Sequence, residues 1–115
     1  MKFILINILF ISLVYTDTFE NVQILDFESK RDLNKYMKSI GKDLGVKCSH
    51  CHNMDDKAAD TPNKDIAREM IKLTRYLNDL LNTQFQDTSF NKTYVTCWTC
   101  HFGTLVPVAK RPVEE

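Results

Sequence analysis

The stretch CSHCH, residues 48–52, decides how this chain folds, together with CWTCH, residues 97–101, which repeats its pattern. Each stretch is a Cys-x-x-Cys pair with a histidine directly after the second cysteine. The chain has four cysteines and three histidines, and all seven lie in these two stretches. This concentration indicates one kind of site that occurs twice.

Three chemistries use Cys-x-x-Cys pairs, and the spacing separates them. A structural zinc site usually draws its pairs from closer positions than the 45 residues between Cys51 and Cys97, and it would leave the trailing histidines unused. A dithiol redox motif lies in a thioredoxin-like alternation of strands and helices, which this sequence does not show. Cys-x-x-Cys-His is the attachment sequence of c-type haem, in which two thioethers hold the porphyrin and the histidine ligates the iron.

The sequence therefore predicts two covalently attached haem c groups, each with one iron. The thioether links are assigned to Cys48, Cys51, Cys97 and Cys100. The proximal iron ligands are assigned to His52 and His101, and no residue is assigned a catalytic role.

The N-terminus has the pattern of a secretory signal. Lys2 precedes a predominantly apolar run over residues 3–15, and charged residues return soon after it. The run is too short to cross a bilayer comfortably as a helix. We expect residues 1–22 to be a signal peptide, or a retained anchor, and residues 23–115 to form the haem domain. Export would place the domain in the periplasm or on the outer face of the cytoplasmic membrane.

The composition is that of one small globular domain. The chain has 115 residues, 43% hydrophobic and 26% charged, with a formal net charge of zero, and no nucleic-acid partner is expected. Without the signal, roughly 95 residues remain, a size at which a purely apolar polypeptide core is only marginally stabilising. Haem, a large flat apolar body, would supply much of the missing core.

Two amphipathic helices are predicted. Residues 27–46 carry apolar side chains at helical spacing and end near Gly45, which can adopt the left-handed cap conformation. A second helix over residues 63–81 begins after Thr61 and Pro62, which are typical of a helix start. The predicted fold is mainly α, with two helix–methionine–loop–CxxCH units packed around the haems and little or no β-structure.

The sixth iron ligands follow by elimination. His50 is locked between the cysteines of its own motif, so methionine is the remaining common ligand in cytochromes c. Met1 would leave with the signal, and Met54 is too near the first motif to cross to the distal face of that haem. Met37 and Met70, each on an amphipathic helix, are therefore assigned to the first and the second haem in chain order.

Three segments carry a family resemblance. The stretches YMKSIGKDLGVKCSHCHNM, NKDIAREMIKL and VTCWTCHFG resemble half of the multihaem cytochrome c subunit of photosynthetic reaction centres. In that family each haem unit is a helix bearing a methionine ligand, a turn and Cys-x-x-Cys-His. Met37 stands 11 residues before Cys48, which is similar to the family pattern, and Met70 precedes Cys97 by a longer spacer of 27 residues.

The chain also departs from the family pattern. The full subunit of that family has four haems, whereas this chain has two motifs. Phe102 occupies a position where a basic residue is common. Short two-haem relatives occur in bacteria that do not photosynthesise, so the resemblance does not imply a photosystem partner.

The predicted function is electron transfer rather than catalysis. With both axial positions filled, neither iron has an open site for a substrate, and methionine ligation favours Fe(II). The expected partners are a redox protein donor and acceptor, which can be membrane-bound. The alternatives are a haem enzyme or gas sensor with one open iron and, third, a zinc-stabilised binding module.

Overall fold

The computed structural model describes residues 19–85 and 94–108, which form helices joined by short turns. The elements are α1 (Lys30–Leu44), a single turn of 3-10 helix (Cys48–His50), α2 (Pro62–Gln84) and α3 (Cys97–His101). No strand occurs in these two ranges, and the predicted mainly α fold is confirmed. Most of the predicted signal peptide, residues 1–18, lies outside the described residues. None of the described helices is long and apolar enough to cross a membrane.

Helix α1 has both ends fixed by its own sequence. Ser29 is the N-cap, and its hydroxyl oxygen accepts a hydrogen bond of 3.1 Å from the backbone N–H of Asp32. This cap starts the helix three residues after the predicted Phe27. At the other end, Gly45 adopts a φ of 65° while the N–H of Val46 donates to the carbonyl of Gly41 at 2.9 Å. That pattern is a Schellman motif, which requires a residue tolerant of positive φ.

Helix α2 is the longest element and begins as predicted. The Thr61 hydroxyl oxygen accepts from the backbone N–H of Lys64 at 3.1 Å, and Pro62 occupies the first turn, where its missing N–H costs nothing. The helix continues to Gln84, one turn beyond the predicted Leu81. Its length gives it room to contact both Cys-x-x-Cys-His motifs.

The C-terminal ends of α1 and α3 meet backbone to backbone. The N–H of Gly103, just after α3, donates to the carbonyl of Asp43 at 2.8 Å. A Cβ atom on Gly45 would lie only 2.1 Å from the carbonyl oxygen of Gly103. Position 45 therefore requires glycine for two reasons: its φ is positive, and the carbonyl of Gly103 leaves no room for a Cβ atom.

The segment before α1 lies along α2. The Asn21 amide donates to the Asp60 carboxylate at 2.7 Å, and Arg68 of α2 donates to the same oxygen at 2.8 Å. These two hydrogen bonds, with that from Arg68 the stronger, lower the pKa of Asp60. Further along, Arg75 donates to the carbonyl of Ile24. Asn21 lies inside the predicted 1–22 signal boundary, yet it makes these contacts with the haem domain.

Replacing Gly45 with alanine tests the contact between α1 and α3. We expect the variant to lose roughly 1–3 kcal/mol of unfolding free energy, because the left-handed backbone is strained and the Gly103 loop must move. Denaturant titration of the holoprotein measures the change. Ser39→Ala, on the exposed side of α1, is the matched control and should change stability by less than about 0.5 kcal/mol. Equal stability of the two variants would contradict the close packing at Gly45.

Candidate haem-binding site

The first motif is attached to the N-terminal end of α2. The Thr61 hydroxyl donates to the carbonyl of Cys51 at 2.6 Å, and the Asn63 amide donates to the carbonyl of His50 at 2.8 Å. Thr61 thus caps the helix and holds the motif with the same side chain. The backbone between the two cysteines is fixed by polar contacts with a rigid element.

The ring of His52 is oriented by one backbone carbonyl. Its Nδ1 lies 3.1 Å from the carbonyl oxygen of Lys57. Because a carbonyl oxygen can only accept, Nδ1 must carry the proton in this contact, which leaves the lone pair of Nε2 for a metal. This is the tautomer that a proximal iron ligand needs.

The second motif is the short helix α3. Thr96 and Thr99 form a capping box at its start, and the chain leaves it through Phe102 at a φ of 49°. Just before the helix, Asn78 of α2 clamps the backbone of Val95, since its amide donates to the carbonyl at 2.8 Å and its oxygen accepts from the N–H at 2.7 Å. The second motif is therefore also attached to α2, through a different asparagine.

His101 repeats the arrangement of His52. Its Nδ1 lies 3.0 Å from the carbonyl oxygen of Thr104, so Nδ1 is again the donor and Nε2 is again available to a metal. The two motifs differ in local structure, one a 3-10 turn and the other an α-helix. In both motifs the histidine nevertheless has its proton on Nδ1 and its Nε2 available as the ligand atom.

A cavity of about 340 Å³ lies between α1, α2 and α3, beside the second motif. Met70 lines it together with Cys97, Cys100 and His101, so the structure brings together the residues that the sequence assigns to the second haem. The other lining residues are mostly apolar: Ile40, Leu44, His50, Cys51, Asn63, Ile66, Ala67, Ile71, Leu73, Thr74, Leu77, Val95, Thr96 and Leu105.

The apolar stripe of α2 has little protein packed over it. Among the described residues, Ile71 is the one buried hydrophobic side chain, at 6% exposure. Ile66 and Leu73, which also line the cavity, are 58% and 49% exposed. Leaving such side chains in water forgoes the burial that stabilises a fold, roughly 1.5–3 kcal/mol each. An apolar body held in the cavity would cover them, so the lining fits a haem.

Burial raises the pKa of two thiols on the cavity. The pKa of Cys51 is raised by desolvation, and that of Cys97 is raised by desolvation and then by the carboxylate of Asp43. Burial therefore favours the neutral form of these two thiols. All four cysteines are free, and no group of three or more His, Cys, Asp or Glu in the described parts of the chain could hold a metal ion.

Tyr36 marks the side of α1 that faces the second motif. Burial raises the pKa of its phenol, the nearby Cys97 raises it further and Arg75 of α2 opposes the shift. Its ring also packs on Phe27, with the two centroids 5.3 Å apart. Met37, the next residue, is half-buried and is not among the residues that line the cavity.

His50 is the site residue that the sequence analysis set aside. Its position between Cys48 and Cys51 excludes it from the distal face of its own haem, but the structure places it on the lining of the cavity beside the second motif. No spacing rule shows this, because it depends on how α2 folds back over the first motif. His50 and Met70 therefore line the same cavity.

Comparisons with known proteins identify the family of the chain. The family described as photosynthetic reaction centre cytochrome C subunit matches residues 13–111. The chain belongs to this family. It is 37% identical to cytochrome c-554 of Chloroflexus aurantiacus over 83 residues, which is 70% of this chain and 20% of the relative. It is 30% identical to the photosynthetic reaction center cytochrome c subunit of Thermochromatium tepidum over 95 residues, covering 80% of this chain and 22% of the relative.

Family membership makes this chain a c-type cytochrome, and haem c its cofactor. The chain spans only about a fifth of the length of these relatives, at 20% and 22%. No solved structure matches it. The resemblance read from the three segments is confirmed, and the number of haems stays a prediction.

Removing one attachment pair at a time tests the contribution of each haem to the core. In Cys97→Ser/Cys100→Ser we expect amides in the middle of α2, around Met70 and Leu77, to exchange with solvent at least about tenfold faster, because their apolar side chains lose their cover. In Cys48→Ser/Cys51→Ser the faster exchange should be confined to the N-terminal end of α2. Hydrogen exchange followed by mass spectrometry resolves the two regions, and wild-type protection in both variants would show that polypeptide alone forms the core.

Proposed function

We propose that the chain is a dihaem c-type cytochrome that passes single electrons between redox proteins. The observation that carries this proposal is the cavity on which Met70 meets Cys97, Cys100 and His101. That combination supplies two thioether positions, a proximal ligand and a distal ligand for one haem. The first motif has the same pair of thiols and a histidine in the same tautomer.

The chain's own residues hold and shield the redox centres. Backbone carbonyls keep the protons on Nδ1 of His52 and His101, so the ligating nitrogens do not have to be deprotonated or rotated. Ile66, Leu73 and Leu77 line the cavity and would shield a bound haem from water. A bound haem supplies a one-electron iron couple, and methionine as sixth ligand raises its potential relative to a second histidine.

Met37 is proposed as the sixth ligand of the first haem. It lies on α1, the helix that directly precedes the first motif, and no other methionine between residues 19 and 47 is available for this role. Gly41 lies one turn after it on the same face. With Met37 and Met70 both bound, neither iron would have an open coordination position, which favours electron transfer over catalysis.

The proposed partners are protein donors and acceptors of electrons on the exported side of the membrane. The apolar run and the polar return at the N-terminus support export, with the mature domain in the periplasm or at the outer face of the cytoplasmic membrane. Two relatives are named as a cytochrome and as a reaction center cytochrome subunit. A photosystem partner is not part of the proposal.

Haem stoichiometry tests the proposal directly. After export with a haem-ligation system, intact mass measurement should give the mature chain plus two haem masses, retained under denaturation because thioethers are covalent. Cys97→Ser/Cys100→Ser should retain one. A wild-type mass with fewer than two haems would contradict the dihaem assignment.

Leucine substitutions test the two methionine ligands. In Met70→Leu and in Met37→Leu, one iron should lose its sixth bond, lose the weak methionine-to-ferric absorption band and begin to bind carbon monoxide in the ferrous form. Apolar volume is nearly conserved, so stability should change by less than about 1.5 kcal/mol beyond the loss of the bond itself. Met54→Leu is the control, since Met54 is 52% exposed and is not assigned to an iron.

Two results would contradict the proposed ligands or the proposed function. Carbon monoxide binding by the wild-type protein would show an open iron and replace the electron carrier with a haem enzyme or gas sensor. If Met70→Leu stays six-coordinate while His50→Ala becomes five-coordinate, the distal ligand of the second haem is His50. The methionine assignment would then be wrong at that site.

A further inference from the structure

We propose that Lys64 is a positioning residue for the first haem, which fixes the loop that orients His52 and raises the reduction potential of that haem relative to the second. The proposal rests on the proposed function, because it takes His52 as an iron ligand. It concerns a side chain that belongs to neither motif and whose place in the fold no spacing rule indicates.

The ammonium group of Lys64 is held in a cage of carbonyl oxygens. Its Nζ lies 2.7 Å from the carbonyl oxygen of Ala58, 3.1 Å from that of Ala59 and 3.3 Å from that of Lys57. An ammonium has three N–H donors, so these three acceptors satisfy it completely. The side chain is only 12% exposed, whereas lysine side chains are among the most exposed in proteins.

The cage shares one oxygen with the proximal histidine. The carbonyl of Lys57 accepts from Nδ1 of His52 at 3.1 Å and from the ammonium of Lys64 at 3.3 Å. Lys64 therefore holds the acceptor that sets the ring orientation and the tautomer of His52. It also draws electron density from that oxygen, which makes the oxygen a weaker acceptor and the imidazole a weaker donor to iron.

The positive charge of Lys64 changes the reduction potential of the first haem in the same direction as its hydrogen bond to the Lys57 carbonyl. A cation of low exposure that shares a carbonyl with the proximal ligand disfavours the more positive ferric state, because screening by water is reduced. Asp60 lies 3.8 Å from Nζ, but its carboxylate oxygen is closer to Arg68, at 2.8 Å. The weaker hydrogen bond from His52 and the positive charge of Lys64 both raise the reduction potential of the first haem.

The second motif provides the comparison. There the acceptor carbonyl belongs to Thr104, and the N–H and hydroxyl of Thr104 donate back to the carbonyl of His101 at 2.9 and 2.7 Å. This loop is held by uncharged groups of the same residue. Each proximal histidine thus donates its Nδ1 proton to a backbone carbonyl. The loop that carries this carbonyl is held by the charged Lys64 in the first motif and by uncharged groups of Thr104 in the second.

The experiment compares Lys64→Met, Lys64→Arg and Lys72→Met by spectroelectrochemical titration of the holoprotein. Lys72 is the matched control, since it lies two turns further along α2, is 54% exposed and pairs with Glu69 at 2.7 Å. The couple that Met37→His displaces is taken as the first haem. In Lys64→Met its reduced-to-oxidised ratio at fixed potential should fall about tenfold, which is 59 mV for one electron, while the second couple stays in place.

Lys64→Arg should retain most of the wild-type potential, because it keeps the charge and the donors. Equal shifts in Lys64→Met and Lys72→Met, or equal shifts of both couples, would overturn the proposal in favour of a general charge effect. No shift would overturn it as well. Haem mass is measured for every sample, so a failure of the dihaem proposal appears as a missing haem in the wild type rather than as an unmoved potential.

The wild-type protein allows a test that no folding defect can obscure. Caged ammonium protons should exchange slowly enough to give a nitrogen-15 resonance for Lys64 at neutral pH, and His52 should show a protected Nδ1 proton. The exposed Lys35 and Lys38 should give no such signal. If Lys64 exchanges as fast as they do, the cage is not formed and the proposal is overturned.

Discussion

The apolar stripe along α2 is the constraint on which the rest of the structure depends. Its side chains are arranged at helical spacing for a core, but Ile71 is the one hydrophobic residue that the described polypeptide buries. A small chain has too little mass to cover such a stripe with protein alone. The cavity between the three helices has the apolar lining and the thiols to hold a haem, and the haem then serves as core and as cofactor. The contacts between the apolar lining and the haem would therefore contribute both to stability and to function.

Helix α2 also fixes the distance between the two motifs. Asn63 holds the first motif and Asn78 the second, and the fifteen residue steps from Asn63 to Asn78 correspond to about 22 Å along the helix axis. Both contacts are side-chain amides bonded to backbone, that of His50 within the first motif and that of Val95 just before the second. A rigid element attached to both motifs would keep two haems, as proposed, at a constant separation.

Local chemistry made much of the site predictable. The Cys-x-x-Cys-His spacing, the caps at Thr61 and Gly45 and the apolar stripes are each written in a few adjacent residues, and the structure has the corresponding elements. The contact of Gly45 with Gly103 and the place of His50 on the cavity beside the second motif depend on residues distant in the chain, and the cage around Lys64 depends on how the loop before α2 folds. No local pattern encodes such contacts, because they arise only when the elements pack. Met37 stays a prediction for the same reason, since its partner would be the haem.

The twofold repeat in the sequence does not give two independent structural units. The helix of the second unit, α2, holds the first motif through Thr61 and Asn63, whereas the helix of the first unit, α1, contacts the second motif through Asp43 and Gly45. Each motif is thus held in part by the helix of the other unit. Elements that share their contacts in this way unfold together rather than one after the other. If both motifs carry a haem, as proposed, each haem that binds would also secure the helix that supports the other motif.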